Sequence, residues 1–536
     1  MKHMKRILAL ALAVMMVMGL AISVSAEDTT TYSITINNTA SGHTYEAYQI
    51  FKGDLKEPTA VDPTDAATTN VLSNIVWGSG VTADGQAALQ AKYEVTSAAA
   101  LAEKLNADNI KEFATEVSKY LATVANSDST VEDGKYVISG LEPGYYLVKD
   151  QNGSLAGDHD AYTRYIIEVV ENSTVNPKNS IPSVDKQVHD EEADAEEGHT
   201  AGWGETADHA INESFQFKLI ATLTADTDYA AYETYKVVFT DTMSAGVTFE
   251  SIASVTVDGV PLGSDDYECT ATAGQAGGSW TLTIEDIKDF ENVNLVDGAS
   301  VVVIYNAHLN ENAVIGDKDE NKNTVYLEYS NNPNAGGENE LGKTKEDTVW
   351  VFTYEIDSVK YADEIKDTNV LPGAGFTLFT TTDGTTKDAA VQLVYDTAKQ
   401  AYRPASVAEI AADATADEKI VVTEMTSDAK GKFNVIGLDV GTYIMEETLV
   451  PAGYNKCADI TITITATHEE TDEENAETVI KFNNADPIVN NVVNKSGVVL
   501  PETGGIGTTI FYALGGVLVL VAVVLLVTKK RMATAE

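Results

Sequence analysis

Three polar residues fall on strand faces that otherwise carry valine, phenylalanine and leucine: Lys186, Asp241 and Asn323. An uncompensated charge is costly to bury, so polar groups placed inward need a partner. Burial disfavours a lysine cation, and the neutral amine is a nucleophile. Burial likewise keeps a carboxyl group protonated, so that it can pass protons to and from an amide electrophile. Asn331 shares the parity of Asn323 and is the alternative amide.

A second set of the same three residue types occurs later in the chain. Alternation places Lys360 and Glu447 on inward faces, each beside apolar or aromatic neighbours. The amide is ambiguous here, because the segment VNNVVNKSG offers Asn490, Asn491 and Asn494. The chain therefore has two candidate reactive sites of one kind.

An internal repeat relates two distant parts of the chain. GKYVISGLEPGYYLVKD (134–150) matches GKFNVIGLDVGTYIMEE (431–447) with three glycines in register. The alignment lays Asp150 on Glu447. Self-similarity of this kind predicts that the two regions share a fold.

The elements that must position these residues are mostly strands. Short segments rich in β-branched and aromatic residues, such as YKVVFTD and ADITITITAT, are bounded by Gly, Asp and Asn. One helical pattern covers residues 97–125. The predicted fold class is all-β, with a short helical insertion in the first of several tandem immunoglobulin-like β-sandwich domains.

Composition restricts the possible functions. The net charge of −47 argues against binding to nucleic acid or to anionic lipid. The two cysteines, Cys269 and Cys457, cannot form a disulfide framework. The segment DKDENKN spaces acidic residues like a calcium loop, but Lys322 stands where glycine is required. No cofactor and no metal site is assigned.

Both ends of the chain carry apolar segments. Residues 1–26 have Lys2, Lys5 and Arg6 before an apolar run, which is typical of a signal peptide. The run 506–527 is long enough to cross a membrane, and three cations follow it. The body of the protein is therefore predicted to be exported.

A short motif, Leu500-Pro501-Glu502-Thr503-Gly504, lies just before the C-terminal apolar run. Followed by the span and the basic tail, this motif resembles the cell-wall sorting signal of Gram-positive bacteria, which sortase reads. In that family a sortase cysteine attacks the Thr–Gly carbonyl, and an amine resolves the acyl-enzyme. The membrane helix is then a temporary tether.

The chain as a whole is similar to major pilin subunits of sortase-assembled pili. VVENSTVNPKNS resembles the pilin motif, with Asn176 in place of the usual aromatic residue, and YIMEETLVPAGY resembles the family's E-box. The resemblance implies that Lys178 attacks the Thr503 acyl-enzyme of another copy. The proline at 177 suits this role, since it lacks an N–H and ends a strand ladder.

Family members also form Lys–Asn isopeptide bonds inside their domains. The resemblance therefore implies a bond from Lys186 to Asn323 with Asp241 as catalytic acid. It implies another from Lys360 with Glu447 as catalytic acid and Asn494 as acceptor, because the family acceptor lies just before the sorting linker. The first domain supplies Asp150, and Asn179 as an acceptor, but its first strand has no lysine. We therefore predict no bond there, with Lys52 as the nearest candidate amine.

These observations predict a structural shaft subunit, not an enzyme, anchored in the cell wall and exposed on the surface. Its partners would be further copies of itself, sortase, minor pilins and peptidoglycan. The alternative is a wall-anchored adhesin or minor pilin that binds a host surface ligand. The predicted organisation is a signal peptide (1–26), three domains (27–180, 181–346, 347–496) and a sorting signal (497–536).

Overall fold

The computed structural model describes residues 30–56, 71–155, 161–177, 180–190, 202–224, 229–291, 293–295, 299–316, 321–335, 341–416, 418–466, 468–469, 481–482, 488–497 and 506–532. The predicted signal peptide lies outside these residues. The chain divides into two compact units. The first comprises Met1–Tyr354, Gly437–Val440 and Thr465–Asp486, and the second comprises Glu355–Ile436, Gly441–Ile464 and Pro487–Glu536.

The first unit begins with an eight-stranded sheet in the order β7-β6-β2-β4-β5-β1-β8, with β3 paired to β2. Its strands alternate between buried apolar residues and more exposed ones, as Ile34 and Ile36 do in β1. The strands are β1 Tyr32–Ile36, β2 Tyr45–Lys56, β3 Val71–Trp77, β4 Ser127–Glu132, β5 Lys135–Leu141, β6 Gly144–Asp150, β7 Arg164–Val169 and β8 Ser173–Val175.

Three short helices connect β3 to β4: α1 Ala83–Lys92, α2 Ala98–Ala102 and α3 Ile110–Val117. The continuous helical pattern predicted over residues 97–125 is therefore broken into α2, α3 and a 3₁₀ turn. Asn109 interrupts it, because its side chain accepts a hydrogen bond from the backbone N–H of Asn106. The sequence pattern missed α1, whose N-cap is the Thr82 side chain and whose sequence has little apolar periodicity.

A twelve-stranded sheet follows in the first unit. Its main path runs β10-β9-β12-β17-β13-β18-β20-β11. The long strand β13 pairs with β16, β17 and β18 and so organises the sheet. The strands are β9 Ser183–Asp190, β10 Gly202–Gly204, β11 Thr206–Asp208, β12 Ser214–Thr222, β13 Val237–Val257, β14 Val260–Pro261, β15 Glu268–Cys269, β16 Gln275–Ile284, β17 Ser300–Leu309, β18 Lys322–Ser330, β19 Leu341–Lys343 and β20 Asp347–Phe352.

The predicted domain boundary at residue 346 falls just before a strand of this middle sheet. Strand β20 pairs antiparallel with β18 and parallel with β11. Its apolar side chains, such as Val349 and Val351, are buried in the core of the first unit. The change in composition that suggested the boundary marks the loop before β20, and the three-domain division otherwise remains a prediction.

The second unit carries a six-stranded sheet, in the order β25-β23-β24-β27-β21-β32, and a four-stranded sheet, in the order β26-β22-β28-β29. Helix α4, Val407–Thr415, begins with a capping box formed by Ser406 and Glu409. The strands are β21 Tyr354–Ala362, β22 Gly375–Thr380, β23 Leu393–Asp396, β24 Ala401–Pro404, β25 Val421–Val422, β26 Glu424–Thr426, β27 Val435–Leu438, β28 Gly441–Leu449, β29 Ile460–Ile464 and β32 Ile488–Asn494. A separate pair, β30 His468–Glu469 and β31 Lys481–Phe482, belongs to the first unit.

The last helix, α5, spans Ile506–Met532, and its segment Tyr512–Lys529 is long and apolar enough to cross a membrane. The predominance of strands and the helical insertion between β3 and β4 confirm the predicted fold class. Both cysteines are free thiols. The calcium-loop alternative falls partly outside the described residues, and Lys322 within it opens strand β18.

Candidate functional site

The first predicted cluster lies in the core of the twelve-stranded sheet. Lys186 lies on β9, Asp241 on β13 and Asn323 at the start of β18, and all three side chains are fully buried. Strand β9 is four steps from β18 along the hydrogen-bonded order. Lys186 therefore approaches Asn323 across the core, whereas Asp241 lies on β13, the direct neighbour of β18.

A tyrosine connects the members of this cluster. Lys186 Nζ donates a hydrogen bond to Asp241 Oδ2. The hydroxyl of Tyr305, on β17, lies 3.2 Å from Asp241 Oδ2 and 3.5 Å from Lys186 Nζ. It also accepts a hydrogen bond of 2.5 Å from Asn323 Nδ2. The Tyr305 hydroxyl is thus the common contact of the amine, the acid and the amide.

Burial acts in opposite directions on the two charged partners. It lowers the pKa of Lys186, although the nearby Asp241 opposes this. It raises the pKa of Asp241, again against the influence of Lys186. Both shifts favour the neutral pair, an amine and a carboxylic acid. These are the protonation states in which the amine is nucleophilic and the acid can donate a proton.

Sequence reasoning did not single out Tyr305. The sequence does predict that Tyr305 is buried, because alternation in SVVVIYNAHL places it on the inward face with Val301 and Val303. A buried tyrosine hydroxyl needs a hydrogen-bond partner. That requirement could have linked it to the inward polar residues of other strands.

The geometry brings Asn323, and not Asn331, to the Lys186 cluster. The Oδ1 atom of Asn323 accepts no hydrogen bond from the described residues, which leaves its carbonyl open to a donor. Asn331 lies just after the far end of β18, where its backbone carbonyl accepts a hydrogen bond from Tyr162. Parity alone could not separate two residues eight positions apart on the same face.

The second cluster lies in the second unit, and its amine, acid and amide contact one another without an intervening side chain. Lys360 lies on β21 and Asn494 on the parallel neighbour β32, while Glu447 lies on β28 of the other sheet. Lys360 Nζ lies 2.5 Å from Asn494 Oδ1 and 3.1 Å from Glu447 Oε1. Asn494 Nδ2 donates to Glu447 Oε1 over 2.6 Å. The three groups form a closed triangle of contacts with fully buried lysine and glutamate side chains.

The other amides offered by the sequence point elsewhere. Asn490 is buried on the same face of β32, but its Nδ2 contacts Met445 Sδ at 3.2 Å and Ser358 Oγ at 3.4 Å. Asn491 is exposed.

Burial lowers the pKa of Lys360, although Cys457 and Glu447 oppose it. The amine that faces Asn494 is therefore shifted towards its nucleophilic form.

The corresponding acid in the first sheet has different partners. Asp150 is fully buried and lies 2.7 Å from His43 Nδ1, and it accepts hydrogen bonds from the backbone and hydroxyl of Thr163. Lys52, the nearest candidate amine by sequence, is exposed. A histidine thus lies beside this acid, where the acids of the other two clusters have a lysine.

The strand that leads towards Lys178 is well defined. Strand β8 pairs in parallel with β1 and ends at Val175. Asn176 then accepts a hydrogen bond of 3.0 Å from Asn37 Nδ2, which gives the residue in the aromatic position a local role. A cleft of about 370 Å³ is lined in part by Val175, Asn176 and Ser180. Lys178 and Asn179 lie outside the described residues, as do the five residues of the sorting motif.

Three family profiles match separate parts of the chain. Residues 214–333 match a Gram-positive pilin backbone subunit 2, Cna-B-like domain. Residues 358–478 match a prealbumin-like fold domain, and residues 492–533 match the LPXTG cell wall anchor motif. No curated protein matches the chain.

A solved backbone pilin structure agrees in fold, and a second solved pilin structure also matches the chain. The T6 backbone pilin of serotype M6 Streptococcus pyogenes is 16% identical with a TM-score of 0.51, and the match covers 89% of this chain and 100% of that chain. The major pilin SpaD from Corynebacterium diphtheriae is 16% identical with a TM-score of 0.47, covering 88% and 99%. The anchor motif and the apolar helix α5 fit a surface protein attached to the Gram-positive cell wall. The chain therefore combines a Gram-positive pilin backbone, Cna-B-like domain with a prealbumin-like fold domain and an LPXTG cell wall anchor motif.

Proposed function

We propose that this chain forms the shaft of a covalently polymerised pilus. Sortase cleaves between Thr503 and Gly504, and the ε-amine of Lys178 in another copy takes over the Thr503 acyl group as an isopeptide bond. The observation that carries this proposal is the combination of a pilin backbone domain with an LPXTG anchor in one chain. Minor pilins and peptidoglycan are further proposed partners.

The structure around β8 supports Lys178 as the acceptor. The ladder of β8 with β1 ends at Val175, and the side chain of Asn176 is held by Asn37. Proline at 177 donates no backbone hydrogen bond, so the chain leaves the sheet edge immediately before the lysine. The cleft beside Val175 and Asn176 offers a concave surface at the end of the described segment that precedes Lys178.

Polymerisation is tested in the expressing strain. A Lys178→Ala variant should yield monomer in place of an SDS-resistant ladder on an immunoblot. Lys52→Ala is the matched control, because Lys52 is an exposed lysine of the same sheet and its loss should leave the ladder intact. A ladder that persists without Lys178 means that another lysine joins the subunits. Monomer in the wild type would favour the wall-anchored adhesin or minor pilin.

We also propose that the two buried clusters each form an internal isopeptide bond. The neutral lysine Nζ attacks the asparagine Cγ, and the Cγ–Nδ2 bond breaks. The buried acid accepts a proton from Nζ and delivers a proton to Nδ2, so ammonia leaves and the acid is regenerated. Placement of the three groups in contact replaces much of the entropic barrier, so no external enzyme is needed.

The contacts in the second unit support this reaction most directly. Lys360 Nζ lies on the carbonyl side of the Asn494 amide, and Glu447 lies on the nitrogen side, where the leaving ammonia must receive its proton. The resulting bond would join the adjacent parallel strands β21 and β32. A pulling force on the chain would then pass through a covalent link and bypass the hydrogen bonds of the sheet. The fibre would resist extension without disulfide bonds.

A further inference from the structure

A buried histidine and two carboxylates converge in the first unit, away from both lysine clusters. His209 follows β11, Glu213 precedes β12, and Asp439 lies in the segment Gly437–Val440. One potential ligand atom from each residue lies within 4.8 Å of the others. His209 is 2% exposed. Neither the predicted function nor the sequence motifs account for this group.

The histidine ring is held in one orientation. It stacks on Phe215 with ring centroids 4.2 Å apart and an interplanar angle of 1°. Its Nε2 lies 2.8 Å from the backbone carbonyl oxygen of His189, which can only accept a hydrogen bond. Nε2 must therefore carry the proton, and in the neutral ring Nδ1 presents its lone pair.

This Nδ1 atom points into the cluster without a partner of its own. It has no hydrogen bond to any described residue, and the nearest Glu213 oxygen is 3.9 Å away. The backbone N–H of Ala210 donates a hydrogen bond of 3.0 Å to the other carboxylate oxygen of Glu213 and so positions this side chain. An imidazole nitrogen without a hydrogen bond to the described residues thus faces two carboxyl groups, an arrangement that suits a bound cation.

The position of Asp439 depends on a close backbone approach. Ile211 N donates to the carbonyl of Gly437 over 3.0 Å, which brings the segment to the turn between β11 and β12. Gly437 has a φ of +75°, and an added Cβ would lie 2.4 Å from the Ile211 side chain. Glycine is required at this point for both reasons.

We infer that His209, Glu213 and Asp439 bind one divalent transition-metal ion of the Zn²⁺ class. An imidazole nitrogen with two carboxylate oxygens is a common ligand set for Zn²⁺, with water in the fourth position. Calcium and magnesium prefer oxygen ligands alone. The hydrogen bond from Nε2 to a carbonyl is the outer contact that usually orients a metal-binding histidine. The ion would tie the Gly437–Val440 segment to the β11–β12 turn without a covalent bond.

The test uses the full-length chain in detergent, stripped with EDTA, with Cys269 and Cys457 alkylated so that thiols do not bind metal. Equilibrium dialysis should show one Zn²⁺ per chain, and Zn²⁺ should raise the melting temperature. His209→Gln and Glu213→Gln should each weaken binding by at least ~10–100-fold, the usual cost of losing even an outer contact of a metal site. His308→Gln is the matched control, because His308 lies 2.7 Å from Glu250 in a partly exposed pair of the same unit.

The Glu213 side chain is 41% exposed, so its variant tests the site even where His209→Gln fails to fold. Ca²⁺ and Mg²⁺ are measured in parallel. Absence of Zn²⁺ binding in the wild type would overturn the inference and would mean that the three side chains share protons in place of a metal ion. Tight binding that survives both substitutions, or binding of Ca²⁺ in preference to Zn²⁺, would also overturn it.

Discussion

Removal of the proposed acceptor Asn494 should lower the stability of the second unit by a large and calculable amount. The bond from Lys360 to Asn494 would close a loop of 134 residues. The chain-entropy model assigns about 5 kcal/mol to a loop of this length. A domain of this size loses ~2–4 °C in melting temperature for each kcal/mol, so Asn494→Ala should melt about 15 °C lower.

The structure supplies the reason to change the amide and not its partners. In Asn494→Ala the Lys360 and Glu447 side chains, 3.1 Å apart, still neutralise each other. Removal of either charged group would leave the other buried alone, which costs several kcal/mol irrespective of any bond. The amide variant therefore isolates the contribution of the cross-link.

The assay combines calorimetry with intact mass. Wild-type chain should lack the mass of one ammonia for each bond, and Asn494→Ala should form one bond fewer. Asn490→Ala is the matched control, because Asn490 is buried on the same face of β32 but contacts Ser358 and Met445. A wild-type mass without ammonia loss, or equal melting of Asn494→Ala and Asn490→Ala, would refute the reasoning.

The remaining predictions concern the first unit. In Asp241→Asn the bond between Lys186 and Asn323 should not form, so the chain should retain that ammonia, while the bond in the second unit should still form. Peptide mapping by mass spectrometry would show both results. A cross-link between Lys186 and Asn323 in this variant would mean that Asp241 is not the acid. Tyr305→Phe removes the hydroxyl that contacts Asn323 Nδ2 at 2.5 Å and should slow this bond by about tenfold or more, since a lost buried hydrogen bond costs ~1–3 kcal/mol. If Tyr305→Phe loses ammonia after synthesis as fast as the wild type, the role of Tyr305 is limited to packing.

Much of the fold could be predicted because it depends on local patterns. Strand alternation is a property of neighbouring residues, and it correctly placed Lys186, Asp241 and Asn323 on buried faces. The apolar run of α5 is likewise visible in composition alone. The helical region was less predictable, because side-chain capping by Thr82 and Ser97 sets where α1 and α2 begin, and a local hydrogen bond from Asn106 to Asn109 interrupts the pattern before α3.

Other features depend on contacts between distant segments, which alternation cannot specify. The sequence by itself determined that amines, acids and amides are buried, and that an anchor follows them. Only the tertiary structure decided that Asn494 and not Asn490 faces Lys360, that Tyr305 joins the first cluster, and that His43 replaces a lysine beside Asp150. It also brought Asp439 to His209. The physical reason is that parity assigns a residue to a face, whereas strand pairing and the packing of sheets decide which residues on facing surfaces meet.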